Sequence, residues 1–320
     1  MRILFITSTR VGDAVLSTGV LRHLIESHSD ARITVACGPA AAALFEAVPG
    51  LERLIVLDKM LMSLHWLRMW VLCIGTFWGM VVDLRNAPLS FLLVARQHHH
   101  LHRTKTPGHR LLQTAAVVGL GNAPPSPGLW TLPIHDERAK RLIPDGPPVL
   151  AIGATSNWRA KTWPAERFAE LSRRVTAAGG MLPGGRVVLF GSAHERPDVF
   201  GLIEAIPADR RFDLIGTIGL LDIYACLRRS ALYVGNDSGL MHMAAAAGIP
   251  TLGLFGPSQE EHYAPWGPLC ATVRTDKGFH EIHPEGWDHR TSESLMDGLT
   301  VERVEQALGD LWRHAAEAAA

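Results

Sequence analysis

Short apolar runs alternate with amphipathic stretches from the first residues of the chain. Residues 2–7, RILFIT, have the length and composition of a strand. Residues 14–25 place Val15, Leu16, Val20 and Leu24 on one side at helical spacing, and residues 32–37 return to a strand pattern. Further strands are predicted at 53–57 and 79–84. A Pro/Gly-rich passage, Asn122-Ala123-Pro124-Pro125-Ser126-Pro127-Gly128, breaks the rhythm, and Asp145-Gly146-Pro147-Pro148 breaks it again. The pattern then restarts with strand 149–153, helix 164–177, strand 186–191, helix 194–205, strand 212–215, helix 220–229, strand 231–235, helix 239–247 and strand 250–255. Helix 301–317 closes it. Short apolar strands alternating with helices predict parallel sheets covered on both faces. Two such runs predict an α/β protein of two doubly wound, Rossmann-like domains, 1–146 and 147–320. In open sheets of this kind ligands sit at the carboxyl ends of the strands, so a cleft between the domains is the expected site.

Composition narrows the function classes. The 320 residues are long for one core, which agrees with two domains. Lys+Arg and Asp+Glu both total 31, so no basic excess points to nucleic acid as a partner. Cys37, Cys73, Cys226 and Cys270 are scattered without a CxxC pair, which suits a reducing cytoplasm and encodes neither a disulfide framework nor a zinc site. The opening apolar run is too short for a signal peptide. Residues 69–82, MWVLCIGTFWGMVV, fall short of the ~20 apolar residues of a spanning helix and are bounded by Arg68 and Asp83. They read as a buried helix running into a core strand. The alternative is a helix resting on a membrane surface, with Trp66, Trp70 and Trp78 at the interface.

Candidate chemistry gathers at three corners of the second half, each following an expected strand. The first is Gly153-Ala154-Thr155-Ser156-Asn157 with Lys161-Thr162-Trp163-Pro164 behind it. The second is Phe190-Gly191-Ser192-Ala193-His194-Glu195. The third is Val234-Gly235-Asn236-Asp237-Ser238-Gly239-Leu240-Met241-His242. Hydroxyls, small residues and a lysine at helix N-termini suit an anion, through free backbone N–H groups, the positive end of the dipole and one point charge. Each corner alone has a plainer explanation: Asp237 and Ser238 as helix caps, Pro164 as a first-turn proline, Thr155 to Asn157 as a turn. Three in succession favour a phosphate site.

Together these residues resemble glycosyltransferase family 9, the ADP-heptose:lipopolysaccharide heptosyltransferases. The matching pieces are Gly12-Asp13-Ala14-Val15-Leu16-Ser17-Thr18, then Lys161-Thr162-Trp163-Pro164 with Glu166-Arg167-Phe168, then Asn236-Asp237-Ser238-Gly239-Leu240-Met241-His242. Phe255-Gly256-Pro257-Ser258 and Trp266-Gly267-Pro268 follow. The resemblance implies a GT-B fold, with the acceptor on the first domain and the nucleotide-sugar on the second. It implies inverting, metal-independent transfer from an ADP-sugar, ADP-heptose above all, to the lipopolysaccharide inner core or lipid A-core. No cofactor is implied. The setting it implies is cytoplasmic, with peripheral contact at the cytoplasmic face of the inner membrane.

Site roles carry over in the same way. Asp13 resembles the family's proposed catalytic base, the plainer reading being a cap on the helix from Ala14. Thr155, Ser156, Asn157, Lys161, Asp237, Ser238 and Gly239 resemble the diphosphate cradle, where a departing diphosphate needs stabilisation. Glu195 resembles an acid that contacts the nucleotide ribose, its alternative being a solvent-facing first-turn acid. His242 reaches the donor or packs against strand 231–235. Arg85, Arg103, Lys105 and Arg110, with the histidines at 98–100 and 102, are expected to line the acceptor side or to stand as solvated loop residues. Adjacent histidines on a strand point to opposite faces and have no acid or cysteine at ligand spacing, so no metal site is expected. Residues 278–290 depart from the family, whose members often carry cysteines there, and helix 301–317 is expected to return toward the first domain. A GT-B-like sugar-nucleotide epimerase and a non-catalytic nucleotide-sugar binding protein are the alternatives. The first needs neither Asp13 nor an arginine-lined acceptor surface, and the second is favoured if Asp13 is dispensable.

Overall fold

The computed structural model describes residues 1–101, 108–283, 288 and 292–319, and divides into two compact units, Met1–Leu132 and Pro133–Ala320. The sequence expectation for the boundary was 146/147. The helix Pro133–Leu142 precedes that point and belongs to the second unit.

The first unit holds strands β1 (Arg2–Ile6), β2 (Arg32–Cys37), β3 (Leu51–Val56), β4 (Met80–Asp83) and β5 (His98–His100). Its helices are α1 (Val11–Ser27), α2 (Pro39–Ala42), α3 (His65–Cys73) and α4 (Arg110–Ala116). The sheet order is β3-β2-β1-β4-β5, every pairing parallel. β1 and β4 are buried on both faces, as a sheet covered by helices on each side requires. The chain runs outward from β1 through β2 to β3, then returns to the other side of β1. Connections therefore diverge at the carboxyl ends of β1 and β4, where Ile6 pairs with Asp83.

The second unit repeats the plan with β6 (Val149–Gly153), β7 (Arg186–Leu189), β8 (Arg211–Asp213), β9 (Leu232–Asn236), β10 (Thr251–Phe255) and β11 (Cys270–Arg274). Its helices are α5 (Pro133–Leu142), α6 (Ala165–Thr176), α7 (Phe200–Ala205), α8 (Leu220–Leu227), α9 (Gly239–Ala246), α10 (Glu260–Tyr263) and α11 (Val301–Ala319). The parallel order is β11-β10-β9-β6-β7-β8, so here the divergence falls between β6 and β9, where Gly153 pairs with Gly235. Both glycines are required by close approach. A Cβ at either position would collide with the hydroxyl of the fully buried Tyr233.

Several sequence expectations change. α1 begins at Val11, a turn before Ala14. The expected helix 194–205 is interrupted at Pro197, which lacks an N–H: a 3₁₀ turn spans Ala193–Val199 and α7 starts only at Phe200. β5 and β11 escaped notice because a three-residue histidine strand and the mixed run CATVR carry little apolar signal. The C-terminal helix, expected to return toward the first domain, buries Val304, Leu308 and Leu311 in the second unit's own core. Arg174 of α6 fixes it there through Glu302 and Glu305 at 2.8 and 3.0 Å. The 69–82 stretch does run into a core strand, β4, but the helix before it is buried on one side only. α3 starts earlier, at His65, buries Met69 and Cys73, and leaves its other face in solvent.

Candidate functional site

In the second unit the divergence point collects the expected anion-binding residues. Lys161 and Asp237 are both buried, and Lys161 Nζ donates to Asp237 Oδ2 at 3.1 Å. The same ammonium lies 5.3 Å from the centre of the Trp158 ring. Asn236, the last residue of β9 and wholly buried, holds the β6 loop: its amide donates to the Ala154 carbonyl at 2.7 Å and its Oδ1 accepts from the Trp163 N–H at 2.9 Å. Trp163 in turn donates from Nε1 to the Leu299 carbonyl at 2.7 Å. The lysine loop is thereby tied to strand β9 and to the segment before α11.

Asp237 and Ser238 do not cap α9. Ser238 occupies the N-cap position yet makes no capping hydrogen bond with its side chain. Asp237 is committed to Lys161. The helix thus begins without a side-chain cap, next to the aspartate that holds the lysine, which is an anion-binding arrangement. Beneath it lies the fully buried Tyr233, whose hydroxyl is directed toward the Ser238 hydroxyl. Burial pushes that phenol far above its ordinary range, the Ser238 hydroxyl works against the rise, and the Asp237 carboxylate adds to it. His242 is buried one turn along α9.

The other two corners meet at Glu195. Thr155 Oγ1 donates to Glu195 Oε2 at 3.0 Å, and the Ser192 N–H donates to the same oxygen at 2.8 Å. Glu195 is therefore the half-buried first-turn acid of a capping box rather than a free carboxylate. Ser156 is turned inward, donating to the Trp158 carbonyl at 2.7 Å and standing 3.0 Å from Thr162 Oγ1. Asn157 is exposed. Pro164 is the N-cap of α6 and precedes its first turn.

In the first unit Asp13 lies in the first turn of α1, whose N-cap is Arg10, so the capping reading fails. Its side chain is 17% exposed, and Oδ1 is buried without a hydrogen bond. Arg110 Nε stands 3.8 Å from that oxygen. Arg85 belongs to the same group of charges: burial lowers its pKa, the Asp83 and Asp13 carboxylates oppose that, and Arg110 adds to it. The Arg85 guanidinium also lies 5.4 Å from the centre of the Trp66 ring. Arg103 and Lys105, expected beside it, lie outside the described residues, as does part of the 278–290 segment.

Sequence reading missed the residue that sets this corner. Asp83, fully buried at the end of β4, accepts from the Arg85 N–H at 2.7 Å, the Ala87 N–H at 2.6 Å and Ser90 Oγ at 2.7 Å. An acid closing the apolar run Met80-Val81-Val82 was the available signal. The histidines of β5 alternate as expected: His98 and His100 stack at 5.6 Å on one side, while His99 Nδ1 lies 3.2 Å from the Val117 carbonyl on the other. Among the described residues no group of three or more His, Cys, Asp or Glu is placed to hold a metal ion.

Comparison with known proteins agrees with this geometry. The family model for glycosyltransferase family 9 (heptosyltransferase) matches residues 52–283. The lipopolysaccharide heptosyltransferase 2 of Salmonella typhimurium is 30% identical over 155 residues, which are 48% of this chain and 43% of that protein. The match thus spans less than half the length of the curated relative. Two solved structures share the fold over nearly the whole chain. The glycosyl transferase family 9 protein of Veillonella parvula has a TM-score of 0.77 at 20% identity, covering 98% of this chain and 97% of that one. The E. coli ADP-heptose lps heptosyltransferase II has a TM-score of 0.75 at 21% identity, covering 99% and 100%. The fold is GT-B, two Rossmann-like domains in one chain, and with most of its length matched by the family model the chain belongs to glycosyltransferase family 9.

Proposed function

We propose that the chain is an inverting glycosyltransferase that moves a heptose from ADP-heptose to the inner core of a lipopolysaccharide or a similar glycolipid. Family membership and the names of its relatives support the substrate class. The observation that carries the chemistry is the buried Oδ1 of Asp13, an acceptor without a hydrogen-bonding partner. Displacement at an anomeric carbon needs a base for the acceptor hydroxyl's proton and stabilisation of the departing diphosphate. In this reading Asp13 is the base. The uncapped start of α9, with Ser238, Gly239 and the charge of Lys161, receives the diphosphate. Thr155, Ser156 and Asn157 shape the loop beside it, and Asp237 orients Lys161. Glu195, with one oxygen engaged in its capping box, has the other for the ribose, and His242 supports α9 from within. Arg85, held by Asp83, and Arg110 face the acceptor's anionic groups.

The same reading places the enzyme in the cytoplasm, working at the inner face of the membrane that carries its acceptor, and without a metal ion. The arrangement supports metal independence because a lysine and a helix N-terminus supply the positive charge that a metal would otherwise bring. Ligands that bind the native state raise its melting temperature. ADP and ADP-heptose are expected to do so in excess EDTA, and UDP-N-acetylglucosamine to leave it unchanged. Stabilisation that needs added magnesium or manganese would overturn metal independence. Stabilisation by the UDP-sugar alone would replace this reading with the epimerase one.

A further inference from the structure

Alternate residues of β9 face opposite sides of the sheet: Leu232 and Val234 pack in the second unit's core, and Tyr233 points the other way. Its side chain leans along the strand, so that the hydroxyl rests between Gly153 and Gly235, the pair at the divergence point. A Cβ would stand 2.1 Å from that oxygen at Gly153 and 2.4 Å from it at Gly235. Two glycines on neighbouring strands thus open a slot for one wholly buried tyrosine. A phenylalanine ring would fill nearly the same slot, and a hydroxyl withdrawn from water is costly unless a hydrogen bond matches it. Packing alone does not account for the tyrosine.

The hydroxyl is aimed at Ser238. Tyr224, another buried tyrosine, places its hydroxyl on a backbone carbonyl, that of Ala246 at 3.0 Å. Tyr233 instead meets the N-cap of α9: its Oη and the Ser238 Oγ are both shut off from solvent and interact with each other. An N-cap serine ordinarily turns its oxygen to the N–H groups of the first turn, which have no partner within the helix. Ser238 has the extended backbone that this requires, φ −152° and ψ 172°, yet makes no capping bond. Its side chain is drawn inward to the tyrosine. The neighbouring Asp237 is held by Lys161 at 3.1 Å.

We propose that Tyr233 is a positioning residue for the diphosphate: by holding the Ser238 hydroxyl inward it keeps the serine from capping α9 and leaves the helix's first N–H groups to a nucleoside diphosphate. An anion at a helix N-terminus is bound by those N–H groups and by the positive end of the dipole. A capping serine would compete with it for the same donors. This role rests on the reading that the start of α9 receives the diphosphate, and it gives Tyr233 no contact with substrate.

Calorimetric titration of the full chain with ADP and with adenosine tests it. Tyr233→Phe keeps the ring and should fold, with a melting temperature within a few degrees of wild type. Its serine is released onto the helix, and ADP is expected to bind ~3–10-fold more weakly, the equivalent of one N-cap interaction. Adenosine, which has no diphosphate, should bind both proteins alike. Adding Ser238→Ala to Tyr233→Phe removes the competing hydroxyl, and the double variant should bind ADP more tightly than Tyr233→Phe alone. A tyrosine that only packs the core would show no such rescue. The proposal is overturned by an unchanged ADP affinity in Tyr233→Phe, by an equal loss for adenosine, or by a double variant no tighter than the single one. A Tyr233→Phe variant that does not fold would also overturn it, since the hydroxyl would then serve the fold. A wild-type protein that binds ADP no more tightly than adenosine would overturn the reading of α9 itself, and the role of Tyr233 with it.

Discussion

Asp13→Asn is expected to reduce turnover by ~10²–10⁴-fold, the usual contribution of a general base, while leaving ADP binding intact. The substitution keeps the size of the side chain and removes its ability to take a proton. The fold should survive. Asp13 caps nothing, since α1 begins at Val11 behind Arg10, and Oδ1 makes no hydrogen bond that an amide would break. What is lost is a partly exposed approach to Arg110 at 3.8 Å and the interaction of an acid with the first turn of a helix, together ~1 kcal/mol. A melting temperature within a few degrees of wild type, with turnover at the limit of detection, is the expected pair of results. A variant that retains most of its activity would show that the base lies elsewhere.

Lys161→Ala should weaken ADP binding, lower turnover and destabilise the protein at once. The lysine contributes charge to the leaving diphosphate in both ground and transition states, so binding and rate fall together. It is also the cation that compensates the buried Asp237 at 3.1 Å. Removing one partner of such a pair costs up to ~3–5 kcal/mol because the other charge stays buried. The double variant Lys161→Met/Asp237→Asn separates the two effects. With both charges gone it should recover much of the lost stability and none of the lost ADP affinity. If Lys161→Ala binds ADP as wild type does, the lysine serves the fold alone.

Much of this was legible before any coordinates. The parallel strands announced themselves because strands buried on both faces are continuous apolar runs, as in residues 32–37 and 149–153. The lysine and Asp-Ser-Gly corners were legible because polar residues directly follow those runs. Their partnership was not. Lys161 and Asp237 lie 76 residues apart, and only the adjacency of β6 and β9 brings them together. A separation of 73 residues hid the clamp by Asn236 on Trp163 in the same way. Asp13 was placed correctly past β1, but its role as a cap could be dismissed only once the helix start was seen at Val11. Arg85 was visible as a cation, whereas its support by Asp83 depends on the turn that follows β4. The outer face of α3 misled because an apolar helix reads the same in sequence whether its second face meets core or solvent.

Transfer itself is the most direct test of the account. Purified protein would be incubated with ADP-heptose and a lipopolysaccharide acceptor lacking heptose, in excess EDTA, and the acceptor's mass followed against ADP release. The account predicts an acceptor heavier by one heptose residue for each ADP released, at a rate that Asp13→Asn all but abolishes. ADP-heptose bound but never consumed, with the acceptor mass unchanged on heptose-free lipopolysaccharide and on acceptors already carrying heptose, would contradict it.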